Sequence, residues 1–314
     1  MQTPFISICI PAYKRVAYLK RLLDSITIQN YKHYEIIVSD DSPDDSITQL
    51  VTSFAALPIT YIKNHPSAGT PGNWNVAIEH ATGDWIKLMH DDDWFASPDS
   101  LQQFATAINS SSADFIFSAC NNIDASGKEV NEFLEGWRKD MLEENSLNLF
   151  FLNVIGHPST VLHRRDNAII YDTQYKWVVD IDFYIRYLQA HPGFLYIPEM
   201  LVNIGIDDSQ VSFALYKNPR VELPEYLSML AKYPPDLLLK HEYVFHLVWN
   251  MLKRYRIKNT DMIRNYGYHR RLPEKLQEII DFQKPIPRII IKQTGWSRSL
   301  MKRCYKKLSQ GLNK

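Results

Sequence analysis

The chain has 314 residues, with 35 Lys and Arg against 35 Asp and Glu, 45% apolar and 22% charged residues. This composition excludes a disordered, collagenous or disulfide-scaffold protein and allows one large or two modest cores. Cys9, Cys120 and Cys304 lack metal-ligand spacing and fit free thiols in a reducing compartment; no apolar run nears the roughly 20 residues that span a bilayer, and Met1-Gln2-Thr3-Pro4 does not open a signal peptide, so a cytoplasmic location is expected.

Phe5-Ile6-Ser7-Ile8-Cys9-Ile10 reads as a buried strand ending at Pro11. Over residues 15–29, Leu19, Leu22, Leu23 and Ile26 recur at helical spacing, and Tyr34-Glu35-Ile36-Ile37-Val38-Ser39 forms a second strand ending in Asp40-Asp41. A helix over 46–54, a strand over 59–63 and a helix over 72–81 lead to a strand over 85–89. Such alternation predicts an α/β fold with a mainly parallel central sheet, helices on both faces and right-handed crossovers. Beyond Trp94 the pattern gives a helix over 99–109, a strand over 114–119, turns over 121–128, a strand entered through Gly156-His157-Pro158-Ser159, and a helix over 177–189. From about Pro219 only helices are expected, until Pro285-Ile286-Pro287 breaks the pattern.

The run Lys87-Leu88-Met89-His90-Asp91-Asp92-Asp93-Trp94 places three adjacent carboxylates at a strand's carboxyl end. Like charges packed this closely need a solvated loop, basic partners or a hard cation such as Mn²⁺ or Mg²⁺. Asp40-Asp41, with Asp44-Asp45 behind, gives a second acidic cluster at a matching strand end, the edge where open α/β sheets bind ligands. Neither a dinucleotide fingerprint nor a P-loop is present, so phosphates would be neutralised largely by a metal.

With these residues in view, the chain resembles the inverting family-2 glycosyltransferases of GT-A fold over roughly residues 5–212. Ser7-Ile8-Cys9-Ile10-Pro11-Ala12-Tyr13-Lys14-Arg15 is similar to the family's first strand and Pro-x-Tyr-Asn turn, with Lys14 in place of Asn. Ile36-Ile37-Val38-Ser39-Asp40-Asp41 resembles its second strand and Asp-Asp turn, and Asn75 matches a frequent family Asn. The acidic run corresponds to Asp-x-Asp-Asp-Trp, with His90 in place of the first Asp. Trp177-Val178-Val179-Asp180-Ile181-Asp182 resembles the segment that carries the catalytic base, although Val179 replaces its usual Glu.

The resemblance implies roles. Pro11 and Tyr13 would line the base pocket, Asp41 would accept the N3 hydrogen of uracil or thymine, and Asn75 would join the nucleotide site. Asp92 would be the metal ligand, Asp91 would face ribose or the metal's water shell, and Asp93 would hold the loop. Asp180 would be the general base, since Asp182 falls on another helix face. Asp40 reads as a turn residue, and His90 as a ribose or metal contact or simply a hydrogen-bonded loop histidine. His157, Pro158 and Ser159 would lie near the acceptor, and residues 207–212 resemble a closing loop.

The implied activity is Mn²⁺- or Mg²⁺-dependent inverting transfer of a hexose type of sugar from a UDP- or dTDP-sugar to a glycan or lipid-linked acceptor, in synthesis of a bacterial O-antigen, capsule or cell-wall glycan. A nucleotidyltransferase, or a non-catalytic nucleotide- or glycan-binding module, is the alternative. Expected domains are a catalytic domain over 1–212, with a nucleotide half to about 94 and an acceptor half from 95, then a helical extension over 213–283 and a basic tail over 284–314. After Asp281 the tail has nine Lys and Arg and no acid. As a helix it would gather Trp296, Leu300, Met301, Cys304, Tyr305 and Leu308 on one side, for an anionic membrane or for packing on the catalytic domain or another subunit; nucleic acid is not expected.

Overall fold

The structure, a computed structural model, describes residues 3–207 and 215–310. It divides into two compact units, the first comprising residues 1–146 and 154–210, the second 147–153 and 211–314.

The first unit is built on a nine-stranded sheet in the order β3-β2-β1-β4-β8-β6-β9-β5, with β7 paired to β6. Strands β1 (Ile6–Ala12), β2 (Tyr34–Asp40), β3 (Ile59–Lys63) and β4 (Trp85–Leu88) form a parallel block. All seven residues of β1 are buried, as befits a central strand covered on both faces. Ile6, Ile8 and Ile10 enter the main core with Leu19, Leu22, Leu23 and Ile26 of helix α1 (Val16–Thr27), the helical stripe read from sequence. Helices α2 (Ser46–Ser53) and α3 (Gly72–Glu79) complete the crossovers. Because β1 lies between β2 and β4, the chain switches direction across the sheet beside the carboxyl end of β1, the position at which open α/β sheets bind ligands.

The remainder of the sheet is mixed. β8 (Val161–Arg164) runs antiparallel to β4 and to β6 (Phe115–Asp124), whereas β6 and β9 (Leu195–Ile206) are parallel. β5 (Trp94–Phe95) runs antiparallel to β9. The turns expected over 121–128 are shorter than the sequence suggests. β6 continues to Asp124, whose carboxylate caps a tight turn by accepting from the Ser126 and Lys128 amides at 2.8 and 3.1 Å, and β7 (Glu129–Glu132) pairs back on it. The polar residues that mimic a loop are cross-strand partners: Asn121 donates to Asn203 at 3.0 Å and Asn122 to Glu132 at 3.0 Å. Helices α4 (Ser100–Ser110), α5 (Gly136–Glu144) and α6 (Val179–Ala190) accompany this half.

The second unit is helical: α7 (Pro219–Leu230), α8 (Leu237–Lys240), α9 (Glu242–Tyr255), α10 (Thr260–Asn265), α11 (Leu276–Gln283), α12 (Arg288–Lys292) and α13 (Thr294–Ser309). Trp249 of α9 is fully buried; its indole donates to Ser297 of α13 at 3.1 Å and its carbonyl accepts from Gln283 of α11 at 3.0 Å. Buried Glu222 of α7 accepts from Arg254 at 2.9 Å and from Tyr255, tying α7 to α9. Met301, Cys304 and Leu308 of α13 are buried, with α8 and α9 packed against that helix, so the apolar stripe of the tail is spent inside this unit. Trp296 is not part of the stripe and stands 64% exposed.

Candidate active site

Three neighbouring strands deliver their carboxyl ends to one place. The Tyr13 amide, just after β1, points at Asp91 beyond β4 across 3.4 Å, and the Lys14 amide donates to Ser42, beyond β2, at 2.8 Å. Lys14 takes a left-handed backbone conformation with φ 62°, a turn geometry that Asn adopts with less strain.

Asp91, Asp92 and Asp93 are all buried. Burial first, and then the Asp92 charge, pushes the Asp91 carboxyl up to about 7. The same two causes push Asp93 well above the ordinary range, against hydrogen bonds from the Ser159 hydroxyl and the Gly205 amide. Asp92 meets Arg15, whose Nη1 lies 2.8 Å from its Oδ2 and 3.8 Å from Asp91 Oδ1. The Asp92 carbonyl accepts from Arg21 at 2.6 Å, and the Arg21 guanidinium stacks 3.6 Å over the Trp94 ring. Gly205 is required here: a Cβ on it would stand 2.4 Å from the Asp92 carbonyl oxygen.

His90 donates its backbone amide to Ser159 at 2.9 Å and packs its ring against Trp74 at 4.6 Å. The imidazole Nε2 is buried without a hydrogen-bond partner, while burial lowers the ring's pKa to about 4 and keeps it neutral. One ligand atom each from His90, Asp92 and Asp93 falls within 4.8 Å of the others. An orphaned neutral imidazole nitrogen beside two crowded carboxylates fits a divalent cation with mixed nitrogen and oxygen ligands. The hydrogen bond from His90 to Ser159 is made by its backbone amide.

The loops beyond β2 are organised around Asp41. Its Oδ1 accepts from Asn64 at 2.8 Å and from the Ala68 amide at 3.0 Å, and its Oδ2 from the Gly69 amide at 2.7 Å. Asn64 also reaches Asn73, at 3.0 Å, and Asn73 reaches the Ala12 carbonyl at 3.3 Å. Tyr13 stands half exposed and Pro11 is buried in β1. Asp40 is buried, bonding the Ser42 amide, Tyr61 and Lys63, which makes it the turn residue read from sequence. Asn75, given to the nucleotide by the sequence, spends both ends of its amide on the Tyr171 backbone at 2.8 and 3.0 Å and is 5% exposed.

The loop with His157, Pro158 and Ser159 is held from beneath by Lys87. This fully buried lysine donates to the Ser159 and Val161 carbonyls, and burial lowers its pKa to about 7. Burial also lowers His157, against pulls from Glu132 and Asp92. Asp180 stands in the first turn of α6, partly exposed, where its Oδ1 accepts from the Ile181 amide at 2.9 Å. After burial itself, the Asp180 charge is the next cause raising Tyr171 and Tyr184. Tyr171 packs edge-on to Trp74 at 5.1 Å, and Tyr184 bonds the Gly156 carbonyl at 3.3 Å. Asp182 is different: it is fully buried and bonds Arg186 at 2.8 Å. Of segment 207–212 only Asp207 is described; it accepts from the Tyr18 hydroxyl at 2.6 Å, and the rest lies outside the described residues. Sequence reasoning overlooked Arg15, Asn64, Lys87 and Gly205, each of which acts through a fold contact distant in sequence.

The signature of glycosyl transferase family 2 matches residues 7–169, just over half of the chain. The chain belongs to glycosyltransferase family 2. This is an inverting family. Relatives include YwdF of Bacillus subtilis, a glycosyltransferase 30% identical over 58% of this chain and 67% of its own length, and the amylovoran biosynthesis glycosyltransferase AmsB of Erwinia amylovora, 28% identical over 63% and 68%. The chain spans 63% of the length of a Haemophilus influenzae glycosyltransferase and matches only 13% of the length of GlyA of Streptococcus pneumoniae. Among solved structures, S. aureus TarS 1-349 in complex with UDP-GlcNAc aligns with TM-score 0.58 at 16% identity over 99% of this chain and 91% of that one. The mannosyltransferase PcManGT of Pyrobaculum calidifontis, in complex with GDP-Man and Mn²⁺, aligns with TM-score 0.58 at 12% identity over 100% and 88%. These likenesses establish the GT-A fold.

Proposed function

We propose that this family-2 enzyme moves a sugar, probed first as a hexose, from a UDP- or dTDP-sugar to a hydroxyl of a glycan or lipid-linked acceptor, in synthesis of a bacterial polysaccharide. The observation that carries the reading is the meeting of Tyr13, Asp41 and the acidic run at the adjoining carboxyl ends of β1, β2 and β4. The name of AmsB and the UDP-GlcNAc and Mn²⁺ complexes of the structural neighbours support it.

Asp41 already accepts three protein hydrogen bonds, so of the roughly four acceptor directions of a carboxylate one stays open, on Oδ2. That direction receives the ring N–H of uracil or thymine, and cytosine has none to give. Tyr13 covers the base over Pro11, Asp91 meets the ribose, and Asn75 contributes through the Tyr171 backbone. Asp92, with His90 and Asp93, would hold Mn²⁺ or Mg²⁺. When bound, the cation supplies positive charge against the leaving diphosphate. His157, Pro158 and Ser159 border the acceptor, and Asp180 removes the proton from its attacking hydroxyl. Transfer is direct and inverts the anomeric centre, with no enzyme nucleophile.

The test is incubation of the full chain with Mn²⁺ and single UDP-, dTDP-, GDP- and CDP-sugars without acceptor. Slow release of UDP or dTDP supports the reading. Pyrophosphate release would mark a nucleotidyltransferase, binding without turnover a non-catalytic module, and GDP or CDP release would overturn the base assignment.

A further inference from the structure

The tail buries one face and leaves another open. Met301, Cys304 and Leu308 turn inward, yet Ile289 is 74% exposed, Trp296 64% and Ile290 36%. No residue of α12 is buried, and Trp296 at the start of α13 is also exposed. Large apolar groups held in water within eight residues of one another mark a surface that meets an apolar phase.

Their surroundings identify that phase. Lys284, Arg288, Lys292 and Arg298 are exposed around them, and Lys302 and Lys306 continue the basic face of α13. No Asp or Glu occurs between Asp281 and the end of the chain. Facing acids are few: Glu242 of α9 lies 3.5 Å from Lys302, and exposed Asp281 of α11 bonds Gln277. Among the described residues no helix is long and apolar enough to cross a membrane. We propose that α12 and the first turn of α13 dock the protein on an anionic lipid bilayer, with Ile289, Ile290 and Trp296 entering the interface and the basic residues meeting the headgroups. A polyanion such as RNA would account for the charges but not for the exposed Ile and Trp; an interfacial helix needs both, and Trp favours the headgroup level. The docking face therefore shares only Trp296 with the amphipathic stripe drawn from sequence, and the anchor does not depend on which donor the enzyme uses.

The experiment sediments the full chain with phosphatidylcholine vesicles, with and without phosphatidylglycerol. Wild type should pellet with the anionic vesicles, less so as salt rises, and remain in solution with the neutral ones. The triple variant Ile289→Ser, Ile290→Ser, Trp296→Ser keeps every charge and should lose at least about tenfold in partition, and Arg288→Gln, Lys292→Gln, Arg298→Gln about a hundredfold. Both should melt with wild type, since every substituted side chain is exposed. Brominated lipid should quench tryptophan emission in wild type and less in Trp296→Phe. Unchanged binding of the apolar triple variant would reduce the surface to a polyanion site and overturn the proposal. A wild-type dimer that this variant converts to monomer would overturn it too, by assigning the patch to a second copy.

Discussion

The Arg15 guanidinium sits 2.8 Å from the Asp92 carboxylate, on the residue best placed to bind a cation. A guanidinium and a divalent ion compete for one carboxylate, while a flat, charged guanidinium released from it also suits phosphate oxygens. Without nucleotide, Arg15→Met should bind Mn²⁺ about tenfold more tightly than wild type, the equivalent of one charge-assisted hydrogen bond. Titration calorimetry measures this directly. Weaker Mn²⁺ binding by the variant would show that Arg15 organises the site instead of competing for it.

Asp180 and Asp182 share the first turn of α6 but not an environment. Asp180→Asn should retain UDP binding and melting temperature and lose roughly 100- to 10,000-fold in transfer, the range of general base catalysis. Asp182→Asn should instead destabilise the fold. Fully buried ion pairs lose about 3–5 kcal/mol when one partner is removed; Arg186 keeps 27% exposure, so about 2 kcal/mol is expected. Chemical denaturation and steady-state rates together separate the two, and the opposite ranking would transfer the base to Asp182.

Gly205→Ala would drive a Cβ into the Asp92 carbonyl oxygen at 2.4 Å, with Arg21 only 3.2 Å away. Overpacking of this kind costs roughly 1–3 kcal/mol. The variant should melt lower and bind Mn²⁺ more weakly, whereas Gly127→Ala, which meets no neighbour but has φ +80°, should lose some stability and no metal affinity. Equal metal affinity in both variants would remove Gly205 from the site.

A pH effect on stability arises at the opposite edge of the sheet. Burial pushes the Glu35 carboxyl up, but hydrogen bonds from Ser7, Thr82 and Gly83 outweigh it and hold the group below the ordinary glutamate range. A depressed folded-state pKa stabilises the protein above the unfolded value, near 4.5, and that contribution disappears as pH falls through the folded value. Glu35→Gln should therefore lower stability at neutral pH and progressively less in acid, without loss of donor binding. A difference between variant and wild type that is constant with pH would contradict the assignment.

The first four strands were legible because each is a short apolar run closed by a turn signal, and β3 (Ile59–Lys63) falls where periodicity puts it. β9 was not, because Pro198 and Glu199 interrupt its apolar pattern where the register with β6 shifts. The acidic run was legible as a cluster at a strand end, since three adjacent carboxylates there repel one another until positive charge is brought to them. The hold of Arg15 on Asp92 was not, being a contact across 77 positions that only folding creates. Asn75 was legible as a family position, but its hold on the Tyr171 backbone, which occupies both ends of its amide, was not.

The central claim is that His90, Asp92 and Asp93 hold a cation that meets the diphosphate of the donor. Pulsed electron paramagnetic resonance of Mn²⁺ bound to the full chain, with UDP added, tests it most directly. The spectrum should show an imidazole-nitrogen coupling that disappears in His90→Asp, together with phosphorus couplings from UDP that persist. Nitrogen coupling unchanged in that variant, or phosphorus couplings absent at saturating UDP, would contradict the account.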